Sequence, residues 1–145
     1  MHVAKDSEGR NVVSFYEQGN VVATFVFNSP KGFLGPTSNP SDQSGFTNTE
    51  NNLFGVNYQP VTKSSFVYLF SKTKVGDLVY MRNINSRVAR FLPVRWSENA
   101  QEFLRIERIS GRKLNLQTVD FSGASRQTFE FSLNVSGDGS ITLSK

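Results

Sequence analysis

Short runs of valine, isoleucine and phenylalanine with alternating polarity, separated by glycine turns, recur along this 145-residue chain and constrain its fold more than any other feature. A period of two sends successive side chains to opposite faces, which suits a half-buried strand and not a helix. Asn11 to Glu17 and Val21 to Phe27, joined by Gln18-Gly19-Asn20, read as a β-hairpin. Val21, Ala23, Phe25 and Phe27 fall on one side of its second strand, and Val22 and Val26 on the other. Both faces therefore call for cover, from a second layer or from a neighbouring subunit. Further strands are expected at Ser65 to Phe70, Asp77 to Arg82, Arg87 to Trp96, Glu102 to Ile109, Lys113 to Phe121, Gln127 to Val135 and Ser140 to Ser144. The clearest alternation is Gln127 to Val135, with Phe129, Phe131, Leu133 and Val135 on one face and Thr128, Glu130, Ser132 and Asn134 on the other. One helical turn, Ser97 to Gln101, is expected from the N-cap serine and the acidic residue behind it.

These signals point to an all-β domain spanning residues 1–145, an antiparallel β-sandwich or jelly-roll-like fold with a small β-barrel as the alternative. Serine, threonine, asparagine and glutamine number 46 against 28 charged residues, a surplus that suits turn-rich β architecture. Residues 28–64 hold four of the five prolines among many small polar residues, and read as one long irregular loop. Phe33, Leu34, Phe46 and Phe54 in that span are candidate contact residues, since a free linker would not carry aromatics at this density.

The chain has no cysteine, so thiolate chemistry and disulfides are excluded. Its one histidine is His2, in a terminal segment expected to be loose, so a serine–histidine triad or a multi-histidine metal site would have to be built around a loose residue. No metal, no cofactor and no enzymatic activity are expected. No apolar run approaches the roughly 18 residues of a membrane span, so a soluble chain is expected.

The net charge of +4 is local. Arg82 to Lys113 carries +5 and the rest of the chain −1. Seven of the nine arginines stand in this window beside Phe91, Trp96 and Phe103. Guanidinium forks with aromatic faces suit protein interfaces, phosphate groups and unstacked bases alike. Arg87, Arg90, Arg95, Trp96, Arg105 and Arg108 are the candidate contact residues there.

Arg87-Val88-Ala89-Arg90-Phe91-Leu92-Pro93-Val94, followed by Asp120-Phe121-Ser122-Gly123-Ala124-Ser125, resembles the paired signatures of PilZ domains, with the arginines three rather than four apart and Ser125 in place of the last glycine. The resemblance implies a small barrel that binds cyclic di-GMP, the arginines holding phosphates and guanines while Asp120 and Ser122 grip the nucleotide. The residues taken together favour a non-catalytic structural or protein-interaction module of the virion, phage or extracellular surface-assembly kind, which self-associates or binds a protein partner. The alternative is a nucleotide- or nucleic-acid-binding β-barrel that uses the arginine window.

Overall fold

A computed structural model describes residues 2–17, 19–27, 33–36, 53–61, 63–72, 79–136 and 140–143. The first sheet contains β1 (His2–Lys5), β2 (Asn11–Glu17) and β3 (Asn20–Phe27) in chain order. The second contains β4 (Phe33–Pro36), β5 (Leu53–Val61), β6 (Ser64–Lys72) and β7 (Val79–Asn83), also in chain order. Two short helices follow, α1 (Asn85–Ala89) and α2 (Val94–Glu102). The third sheet is a meander of β8 (Leu104–Ser110), β9 (Lys113–Asp120), β10 (Gln127–Val135) and β11 (Ile141–Leu143). Every named strand pair is antiparallel, and among the described residues no sheet closes on itself.

The turns follow from local chemistry. Between β1 and β2 the Asp6 carboxylate accepts hydrogen bonds from the backbone N–H of Glu8 (3.0 Å) and Arg10 (2.8 Å). Gly9, at φ +81°, reverses the chain in a conformation that a Cβ would strain. Gly19 does the same between β2 and β3, and Gly111 between β8 and β9. The terminal segment is therefore a paired strand rather than a loose end, with His2 opposite Ser14 and Lys5 opposite Asn11.

The second sheet serves two cores at once. Phe54, Val56, Tyr58 and Phe70 pack with Val13, Phe15 and Phe27 of the first sheet. Leu53, Val67 and Leu69, the alternate residues, pack with Leu104, Ile106, Leu114, Leu116, Leu133 and Val135 of the third sheet and with Val88, Ala89 and Ala100 of the helices. The first core is aromatic, with Phe15 5.4 Å from Phe54 and 5.2 Å from Phe70 between ring centroids, inside the range where tilted aromatic pairs attract.

Two expectations need correction. The stretch 28–64 holds β4 and β5, so it is not one irregular loop, and Phe54 is a core residue, 1% exposed. Burial on both faces erases alternation in β5, which is why the period-two reading passed over it. The strand expected at Arg87 to Trp96 is instead helical: Val88 donates to the Ile84 carbonyl at 2.9 Å, and Pro93 opens α2. Ile84, Val88 and Leu92 carry the four-residue spacing of a helix, and the first two are fully buried.

In the first hairpin one face is covered by the aromatic core. The register skips one residue of β3 between the pairs Phe15–Ala23 and Tyr16–Val21, and this moves Val21 to the opposite face from Ala23. The alternation expected over Gln127 to Val135 is present, with Leu133 and Val135 buried, Phe129 and Phe131 half-buried, and Thr128, Glu130 and Asn134 exposed.

Candidate functional site

The arginine window runs from the end of β7, which holds Arg82, through α1, α2 and β8 to the turn into β9, and six of its arginines beyond Arg82 separate into two groups. Arg95, Arg105 and Arg112 are engaged within the molecule. Arg112 donates to the carbonyls of Val135 (2.7 Å) and Ser136 (2.9 Å), and burial pulls its pKa below the usual value. Arg105 faces Glu107 at 3.6 Å across open surface. Arg87, Arg90 and Arg108 are exposed and make no hydrogen bond or ion pair with the described residues.

Arg95 belongs to a polar cleft between α2 and the turn that joins β9 to β10. Asp120 closes β9 and Gln127 opens β10, directly paired and therefore on one face of the sheet. Arg95 reaches down from the first turn of α2, and its Nη2 donates to Asp120 Oδ2 at 3.3 Å and to Gln127 Oε1. Asp120 Oδ1 accepts from the Ser122 hydroxyl (2.6 Å) and from the Ser122 backbone N–H (2.9 Å), which folds the 121–126 turn back onto the carboxylate. Together with Gly123, Ala124 and Ser125 these groups line a cavity of about 270 Å³. The Ser122 hydroxyl and N–H, opposed in part by desolvation and helped by Arg95, hold the Asp120 carboxyl below the usual carboxylate range. The group is an anion at neutral pH.

Beside the cleft, Trp96 stacks on Phe129 with centroids 5.4 Å apart and planes 19° from parallel, while the Arg95 guanidinium lies 4.6 Å from the indole centroid. These contacts fasten α2 to β9 and β10. They also take up the indole faces that a nucleobase would need for stacking.

The segments quoted for the PilZ resemblance meet only in part. Asp120 and Ser122 are joined to Arg95, whereas Arg87 and Arg90 lie on and just past α1. Among the loop candidates, Phe33 and Leu34 stand in β4 opposite Gln59 and Tyr58, Phe46 lies outside the described residues, and Phe54 is buried.

Among the buried polar residues that sequence reasoning passed over are Asn57, Asn85 and Thr118. Asn85 accepts from the Val67 N–H at 2.9 Å and donates to the Ser65 carbonyl at 3.0 Å, pinning α1 to β6. Asn57 donates to the Ile106 carbonyl at 3.0 Å and accepts from its N–H at 2.8 Å, pinning β5 to β8. Thr118 donates to the Phe103 carbonyl at 2.8 Å. An asparagine at an inward position of an otherwise apolar run, as in Leu53-Phe54-Gly55-Val56-Asn57-Tyr58, is the signal that would have found Asn57.

Among the described residues, no three histidine, cysteine or acidic side chains gather where they would hold a metal, and no helix is long and apolar enough to cross a membrane. Comparisons with protein-family models, with curated proteins and with solved structures find no match.

Proposed function

We propose that this chain is a non-catalytic structural or protein-interaction module, a layered β-sandwich that associates with a second copy of itself through the outer face of its first sheet. The carrying observation is the composition of that face. Ala4, Val12 and Val26 form one row across β1, β2 and β3, and Tyr16 and Val21 form another. Val21 is 54% exposed and Val26 42%, on the side away from the aromatic core. The polar pair Ser14–Thr24 runs between these two rows, and the exposed valines on either side of it gain by leaving water against a second sheet.

The chemistry of the cleft supports a non-catalytic reading. The Ser122 hydroxyl donates to the Asp120 carboxylate, whose pKa is held below the usual range by that bond, so the adjacent base is a weak one and the pair serves to fold the 121–126 turn. The nucleotide or nucleic-acid alternative loses Arg95 and Trp96 to internal contacts and keeps Arg87, Arg90 and Arg108.

Light scattering over a concentration series tests the proposal. The weight-average mass is expected to rise above the 16.2 kDa of one chain as concentration increases, and Val26→Asp is expected to hold it at 16.2 kDa. A wild-type chain that stays monomeric at the highest attainable concentration refutes self-association.

A further inference from the structure

The corner between α1 and α2 combines two kinds of unspent surface. Val94 is 81% exposed, the most exposed of the large apolar side chains described, and Phe91, three residues earlier, is 39% exposed. Pro93 between them is exposed as well. Arg87 and Arg90, three apart on the preceding turn and both exposed, hold no hydrogen bond or ion pair with the described residues. Glu98, one turn beyond Val94, bounds the patch.

The corner is held firmly from below. Phe91 donates to the Val88 carbonyl (3.0 Å) and Leu92 to that of Ala89 (3.2 Å), and Trp96 and Ser97 both donate to the Pro93 carbonyl (2.9 and 2.8 Å). Leu92, in the middle of the turn, packs against the core. Phe91 and Val94 are thus presented to solvent on an ordered base, on either side of an anchored residue.

A partner for this corner must reward guanidinium groups and apolar side chains together. Nucleic acid rewards the guanidinium groups and a base can stack on Phe91, but it leaves the 81%-exposed Val94 without a partner, and Trp96 is already engaged by Phe129 and Arg95. An anionic lipid surface rewards both, with phosphates for the arginines and an acyl boundary a few ångströms deeper for valine and phenylalanine. We propose that the α1–α2 corner docks on anionic lipid headgroups, with Arg87 and Arg90 on the phosphates and Phe91 and Val94 dipping below them. This surface belongs to different elements from the β1–β3 face and does not depend on self-association through it.

Co-sedimentation of the full chain with phosphatidylcholine vesicles, with and without phosphatidylglycerol, tests the proposal at low and moderate salt. Wild-type protein is expected to bind the anionic vesicles weakly, at millimolar lipid, and the neutral ones far less. Basic residues near such a surface contribute about 1 kcal/mol each, so R87A/R90A is expected to lower partitioning about thirtyfold. R87A and R90A alone are each expected to lower it about fivefold, which keeps the test available should the double variant fail to fold. V94S is expected to lower it about tenfold by removing the inserted apolar group. R105A/R108A makes the same change in net charge elsewhere and is expected to leave most of the binding intact.

Four outcomes overturn the proposal. They are equal binding to neutral and anionic vesicles, binding to single-stranded DNA without binding to vesicles, a loss with R105A/R108A as large as with R87A/R90A, and a V94S variant that binds like wild type.

Discussion

Replacing Asn57 by alanine tests what joins the second sheet to the third. Among the described residues β8 is an edge strand, and on the side away from β9 no further strand pairs with the N–H and C=O of Ile106. The Asn57 carboxamide takes that place, accepting at 2.8 Å and donating at 3.0 Å, as a peptide group of a neighbouring strand would. Asn57 is 8% exposed and Ile106 1%, so water is not positioned to substitute. The alanine variant loses two hydrogen bonds worth about 1 kcal/mol each, and leaves a buried donor and acceptor whose desolvation is no longer offset. A loss of about 3–4 kcal/mol is expected, a large fraction of the ~5–15 kcal/mol that stabilises a typical domain.

Urea unfolding followed by circular dichroism and by the fluorescence of Trp96, the chain's one tryptophan, measures this directly. Asn115→Ala is the matched control. Asn115 is half-buried and accepts from the Ser132 hydroxyl, so its loss is expected to cost about 1 kcal/mol or less. Asn57→Asp adds a sign test, because a carboxylate accepts from the Ile106 N–H but repels the Ile106 carbonyl. Burial and that repulsion raise the folded-state pKa of the new aspartate. Its destabilisation is therefore expected to grow as pH rises above its unfolded value of about 3.9 and to shrink below it. If Asn57→Ala cost no more than Asn115→Ala, or if Asn57→Asp were equally destabilised at acid and neutral pH, the interlayer amide would not have the role described.

Two further substitutions probe the aromatic core and the cleft. Phe15→Ala removes a fully buried ring that touches Phe25, Phe54 and Phe70, and is expected to cost about 3–5 kcal/mol in urea unfolding, a loss below ~2 refuting its central place. Asp120, whose folded pKa is depressed chiefly by Ser122, contributes stability that is present above its unfolded pKa and lost as pH falls through the folded value. Asp120→Asn is expected to be less stable than wild type at about pH 7 and to converge with it toward about pH 2, and a gap that does not change with pH would count against the geometry.

How much was legible in the sequence depended on how many faces a segment buries. β10 buries one face, and Gln127 to Val135 announces itself by alternation at both ends. β5 buries both, so Phe54 and Val56 alternate with Leu53 and Asn57 in burial partner rather than in polarity, and Pro60 near its end resembles a loop signal. The helical turn expected at Ser97 to Gln101 lies within α2, whereas α1 was obscured by its length. Five residues of α1 give barely one turn, too short for a 3.6-residue period to stand out against strands on either side. The cleft was half legible. Asp120 to Ser122 announces a turn by local chemistry, but its arginine comes from 25 positions earlier, a pairing that only the packing of α2 on the third sheet creates.

That packing also decides which arginines face outward. With α2 seated by Trp96 on Phe129, Arg95 is carried over Asp120 and its charge is used inside the molecule. Arg87 and Arg90 precede that seat, on a helix fixed to β6 by the buried Asn85, and have no such partner among the described residues. The positive window is therefore two surfaces of different meaning, one holding the fold and one presented to solvent. The apolar face of the first sheet is carried by strands that contribute nothing to either. A Val26→Asp variant should accordingly change mass in solution without changing lipid partitioning beyond its one unit of charge, and R87A/R90A should do the reverse. Coupled losses in both assays would mean that a single assembly, not two independent surfaces, binds lipid.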